Sequence, residues 1–285
     1  MKLGVVYPQI ELKGDPDAVR RIGRATEQLG YDHLLAYDHV LGAVHDDRQP
    51  KLMGPYTERD PFHDPFVMFA YLAGLTQRLQ FVSGVIILPQ RQTALVARQA
   101  ADLDLLSGGR FRMGVGVGWN HVEYVALGQD FKTRGAREEE QIGLLRRLWT
   151  EPVVDFTGRF DRVERASTLP LPTRSIPIWL GGFGDIAFSR AARVGDGFIF
   201  GGKESIAVEA WDLIRKQVAE AGRSVDEFGG EWAVGGKDPA EVAAKIERWE
   251  AAGGTHASVV TMNIGLDSIE AHIDHMSRVA AALGR

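Results

Sequence analysis

The sequence predicts an α/β fold, a TIM (β/α)8 barrel. Short apolar runs alternate with amphipathic segments along all 285 residues. Most of these runs are apolar on both faces, as expected of parallel strands covered on both sides. Eight strands, each followed by a helix, need roughly 250 residues. A doubly wound open sheet is the alternative, but no GxGxxG turn follows the first run. The expectation is one barrel domain over residues 1–285, with a long loop after strand 2 and a hairpin insertion before strand 5.

In chain order the expected barrel strands are Leu3–Tyr7, His33–Tyr37, Leu79–Leu88, Phe111–Val117, Pro177–Gly181, Gly197–Phe200, Glu231–Val234 and Ala257–Met262. Asp15-Pro16, Asp64-Pro65 and Asp238-Pro239 each offer a capping carboxylate followed by proline at the first helical position. Asp267 with Glu270 reads as a capping box. The polar stretch Gly42–His63 is long for a connection and is expected to act as a lid. Val153–Phe156 and Phe160–Val163, joined around Thr157-Gly158, read as the hairpin. Arg98–Phe111 reads as a helix, a glycine C-cap and re-entry to a strand, on the barrel face that serves stability.

The chain is 45% hydrophobic and 25% charged, with a net charge of -5, an ordinary globular composition. That balance argues against nucleic acid as a partner. With no cysteine there is no disulfide, thiol nucleophile or thiolate metal site, which is compatible with a cytoplasmic location. No leader-like apolar stretch and no run of roughly 18 apolar residues is present, so neither secretion nor a membrane partner is expected.

Three places carry residue types suited to chemistry. Asp38-His39 ends the second run, where a buried strand should open into a loop. In parallel β/α proteins ligands bind at that strand end, and histidine exchanges protons near neutrality. The same pair is also consistent with a satisfied buried pair or a loop cap. Gly181-Gly182-Phe183-Gly184 joins a strand to a helix, where free amides attract an anion such as phosphate, although a tight turn also needs glycine. Lys203, after Gly201-Gly202, adds a cation at the next strand end or is simply solvated. In Gly114-Val115-Gly116-Val117-Gly118 the alternating glycines clear one face for a planar ring, or for barrel packing. Trp119, Asn120 and Glu123 then project from the loop and helix start, and Tyr37 precedes Asp38. His121 and Glu123 lack metal spacing and there is no HExxH, so no metal is expected.

At these residues the chain resembles the bacterial luciferase-like family of flavin and deazaflavin oxidoreductases. The resemblance runs nearly full length, through Asp38-His39, the Leu103–Gly118 stretch ending in Trp119, Asp130–Arg137, Ile178–Gly182 and Gly195-Asp196-Gly197-Phe198. It implies a TIM barrel whose mouth holds the tricyclic ring of a flavin or deazaflavin against the end of the third strand. It places a non-proline cis peptide at Val85-Ile86, has Asp38 contact the cofactor and His39 exchange a proton with substrate. It also assigns the amides of Gly181 and Gly182, beside Phe183, to the cofactor phosphate. Lys203 matches a lysine that helps bind substrate phosphate in the sugar-phosphate dehydrogenases of the family. The tryptophan of those enzymes is missing near Gly42–Val44, and Trp119 stands where their glutamate would be. Tyr37 and Trp119 instead favour a flatter or more apolar small molecule. Subtype resemblance and an arginine-rich composition point to coenzyme F-420 over FMN. The expected activity is hydride transfer between coenzyme F-420 and a small organic substrate, in a homodimer. An FMN-dependent monooxygenase and a catalytically silent flavin-binding protein are the alternatives.

Overall fold

Strand propensity and burial build a closed parallel barrel in the computed structural model, which describes residues 1–285. In chain order the elements are β1 (Lys2–Val6), α1 (Gln9–Leu12), α2 (Pro16–Gln28), β2 (His33–Ala36), α3 (Pro65–Ala73), β3 (Gln80–Ser83), β4 (Ile86–Ile87), α4 (Thr93–Ser107), β5 (Phe111–Gly116), α5 (His121–Ala126) and α6 (Arg134–Thr150). These are followed by β6 (Val154–Thr157), β7 (Arg162–Ala166), β8 (Ile178–Gly181), α7 (Asp185–Val194), β9 (Gly197–Phe200), α8 (Glu204–Glu220), β10 (Gly229–Gly235), α9 (Pro239–Ala251), β11 (His256–Val260) and α10 (Ile269–Ala282). The main sheet runs β3-β2-β1-β11-β10-β9-β8-β5-β4, and pairing of β3 with β5 closes it. The expected third strand is split at Gly84-Val85 into β3 and β4, so eight barrel positions are filled by nine strands.

Alternation along the strands divides the apolar residues into two sets. Outward residues such as Val5, Leu34, Phe81, Met113 and Phe198 meet the helices in one large cluster. Inward residues Val6, Leu35, Val82, Trp179, Ile199 and Met262 form a smaller cluster inside the barrel. The lower interior holds a polar plug. Glu231 lies 2.7 Å from His33 Nε2 and 2.6 Å from Arg112 Nη2, and Ser258 Oγ donates to it at 2.5 Å.

The three Asp-Pro caps form as expected, with Asp15, Asp64 and Asp238 accepting from the amides of Asp17, Val67 and Ala240. Helix α4 ends on Gly108 in the left-handed conformation. The capping box is corrected. Ser268, not Asp267, caps α10 by accepting from Ala271 N, while the Glu270 side chain is drawn to Arg21 at 2.6 Å. The hairpin's second strand also starts later than expected, at Arg162. Glu140 on α6 accepts from the amides of Arg159, Phe160 and Asp161 and so holds those residues in the turn. No helix is long and apolar enough to cross a membrane.

Candidate active site

The C-terminal ends of the barrel strands surround a cavity of about 480 Å3. Tyr37, Asp38 and His39 enter it from the end of β2, and Gly84 and Val85 from the break between β3 and β4. Gly116 ends β5, with Gly118 and Trp119 after it, and Gly181 ends β8, with Gly182 and Phe183 after it. The Gly84-Val85 peptide is cis, one bond before the expected Val85-Ile86. Ile86 does not reach the cavity. Alternation turns it outward into the core beside Val115, which corrects its assignment to the cofactor. Val85 lies against the flat walls of β5 and β8. A Cβ at Gly116 would stand 2.6 Å from Val85 Cγ2, and one at Gly181 2.8 Å from Val85 Cγ1. Neither position accepts a side chain without displacing Val85.

His39 is held from below. Its Nδ1 lies 3.0 Å from Glu123 Oε2, and Glu123 is fully buried on α5. Glu123 Oε1 also accepts from the amides of Val40 at 2.8 Å and Leu41 at 3.1 Å. Burial opposes ionisation of Glu123, but His39 and these amides outweigh it and hold the carboxyl below its usual range. A carboxylate on Nδ1 places the neutral ring's proton there, leaving Nε2 for the cavity. Phe62, Tyr56 and Trp119 pack edge-on around the imidazole at 4.9, 5.4 and 5.4 Å between ring centroids.

Asp38 lines the cavity but its carboxylate is already engaged. Oδ1 accepts from Arg91 Nη2 at 2.7 Å and Oδ2 from Ile87 N at 3.1 Å. Burial raises its pKa, with Arg91 and the Ile87 amide acting against that. Asp38 therefore ties β2 to β4 and positions its neighbour His39. Sequence reading missed Arg91, whose only signal was its position just after Leu88-Pro89 at a strand's end. It also missed Pro55 and Tyr56, which the lid brings to the cavity from far along the chain.

Three expected substrate-pocket residues do not line the cavity. Asn120 caps α5, its side chain accepting from Val122 N and donating to Leu41 O. Glu123 lies behind His39. Lys203 is exposed at the N-cap of α8, outside the cavity lining.

Beside Gly181, the amides of Gly182, Phe183 and Gly184 donate to no acceptor in the protein. Gly182 and Gly184 have φ of +153° and +82°, which only glycine adopts readily, and α7 begins at the next residue. Three free amides opening onto a helix start form an anion cradle. The apolar wall that Val85 presents over Gly116 and Gly181 and this cradle fit a planar ring that carries a phosphate on a short tail. No cluster of metal-ligating side chains is present.

A family model described as luciferase-like monooxygenase matches residues 2–230. The chain belongs to this family. An uncharacterized protein of Mycobacterium tuberculosis is 36% identical over 185 residues, 64% of each chain. An F-420-dependent glucose-6-phosphate dehydrogenase of Intrasporangium calvum is 31% identical over 214 residues, 71% of this chain and 60% of that protein. The chain thus spans less than two thirds of the length of these relatives. Among solved structures, a monooxygenase from Streptomyces bottropensis superposes with a TM-score of 0.81 at 19% identity, covering 99% of this chain and 98% of the other. An F-420-dependent secondary alcohol dehydrogenase bound to an F-420-acetone adduct superposes at 0.78 with 17% identity, again covering 99% and 98%. At these identities the likeness is one of fold.

Proposed function

We propose that this luciferase-like protein is an oxidoreductase that moves a hydride between the deazaflavin coenzyme F-420 and a small organic substrate. The charge of the anion cradle carries the choice of coenzyme. The amides of Gly182, Phe183 and Gly184 are free, and no lysine or arginine lines the cavity beside them. Such a cradle suits the single charge of a phosphodiester, the form in the deazaflavin coenzyme. The phosphomonoester of FMN carries about -1.5 to -2 at neutral pH and calls for cationic partners. The relatives described as F-420-dependent dehydrogenases support the same choice.

Val85, with Gly116 and Gly181 behind it, would hold the coenzyme's ring, which when bound would supply a carbon able to accept or donate a hydride. The protein supplies the proton and the setting. His39 Nε2 holds or receives the proton, and Glu123 stabilises the imidazolium that results. Trp119, Tyr56 and Phe62 keep water from the imidazole.

Titration of the purified chain with F-420 and with FMN, followed by tryptophan fluorescence, tests the coenzyme. F-420 is expected to bind at least about tenfold more tightly, the equivalent of roughly 1.4 kcal/mol. FMN binding equally or better, with oxygen uptake by the reduced form, would assign the monooxygenase reading instead. Binding without turnover on any substrate would leave a silent flavin-binding protein.

A further inference from the structure

We propose that the substrate side of the cavity takes a planar, uncharged carbonyl compound, and that the lid wall of Pro55 and Tyr56 sets this preference. The proposal rests on the coenzyme reading above only for the reductive step, since the cavity walls exist without it. No lysine, arginine, serine, threonine, asparagine or glutamine lines the cavity. The polar side chains that do are His39, the engaged carboxylate of Asp38, and the hydroxyls of Tyr37 and Tyr56. Burial raises both phenols, Tyr37 to about 12, so they stay neutral donors. A phosphate or carboxylate here would be buried beside Asp38 with no lysine or arginine to pair it. A sugar would leave most of its hydroxyls without partners. The sugar phosphate taken by the named dehydrogenases therefore does not suit this cavity.

The lid is built onto the site. Gly54 lies flat on the indole of Trp119, so close that a Cβ there would enter the ring. Gly42 faces the Thr57–Glu58 backbone with the same closeness, and Asp60 accepts from Thr57 N at 2.6 Å. Residues 42–63 thus fold back on themselves and seat Tyr56 at 6.4 Å from Tyr37 and 5.4 Å from His39, centroid to centroid. Tyr37, Tyr56 and Trp119 form an aromatic slot with His39 at its edge. That matches a flat molecule with one carbonyl oxygen. In the reductive direction a hydride arrives at the carbonyl carbon and the C=O π pair moves to oxygen. The oxygen takes the proton held at His39 Nε2, and the reduced deazaflavin co-reactant loses the same two electrons.

Benzylideneacetone, its para-carboxylate analogue and glucose 6-phosphate serve as probes. Each is titrated against the full chain without coenzyme by tryptophan fluorescence and calorimetry, then assayed with reduced F-420. The neutral ketone is expected to bind and turn over. The carboxylate analogue should bind at least about 100-fold more weakly, and the sugar phosphate should be inert. Tyr56→Ala should weaken the ketone about tenfold or more with F-420 affinity unchanged, and Tyr56→Phe should restore most of it. Equal binding of either anion, absence of ketone binding to the chain, or insensitivity to Tyr56→Ala in folded protein overturns the proposal. Failure of F-420 to bind while the ketone still does so overturns the coenzyme reading and leaves the slot standing.

Discussion

Replacing Glu123 by Gln keeps the shape of the side chain and removes its charge, so its effect can be worked out atom by atom. Oε1 accepts from two amides, Val40 and Leu41, while Oε2 faces His39 Nδ1 at 3.0 Å and Gln90 Nε2 at 3.4 Å. In Glu123→Gln the amide oxygen must stay with the two backbone donors, because an NH2 group there would face them donor to donor. The new NH2 then points at His39 and donates to Nδ1. The neutral ring now carries its proton on Nε2, and the imidazolium has lost its carboxylate. A hydrogen bond between charged groups contributes about 1.5–3 kcal/mol, equivalent to about 10- to 100-fold. Turnover of reduced F-420 with ketone is therefore expected to fall about 10- to 100-fold at neutral pH. Coenzyme affinity should hold. Stopped-flow kinetics, with circular dichroism to confirm folding, makes the measurement. A folded Glu123→Gln protein with parental turnover would falsify the proton role of this pair.

Other outcomes follow from the same contacts. Arg91→Met leaves the Asp38 carboxylate buried with only the Ile87 amide, and should cost about 3–5 kcal/mol in urea unfolding. The loss should ease as the pH drops and Asp38 takes up a proton, and a cost below about 1 kcal/mol would contradict the positioning role. His256, at the opposite end of the barrel, is lowered to about 3 by burial first and by Arg112 second. Below pH 6.5 the unfolded chain binds a proton at His256 that the folded chain refuses. Stability should therefore fall by about 1.4 kcal/mol per pH unit, or about 2 kcal/mol between pH 6.5 and 5. His256→Gln should flatten that part of the profile, and an unchanged slope would place the acid sensitivity elsewhere.

The sequence by itself determined the barrel and the composition of its mouth. Two-sided apolar runs admit little but a parallel sheet covered by helices, and the Asp-Pro caps mark helix starts through contacts two or three residues away. Tyr37, Asp38, His39, Gly116, Gly118, Trp119, Gly181, Gly182 and Phe183 could be nominated because strand ends are local features. Tertiary structure alone decided which of the nominated residues face the cavity. Ile86 was lost to strand alternation after a break that no local pattern marks. Lys203 was lost to the N-cap of α8, where its side chain is exposed outside the lining. Glu123 became the support of His39, and Arg91 the partner of Asp38, through contacts that span 84 and 53 residues. The lid wall of Pro55 and Tyr56 is of the same kind, because packing between distant segments depends on the closed barrel and leaves no periodic trace in the chain.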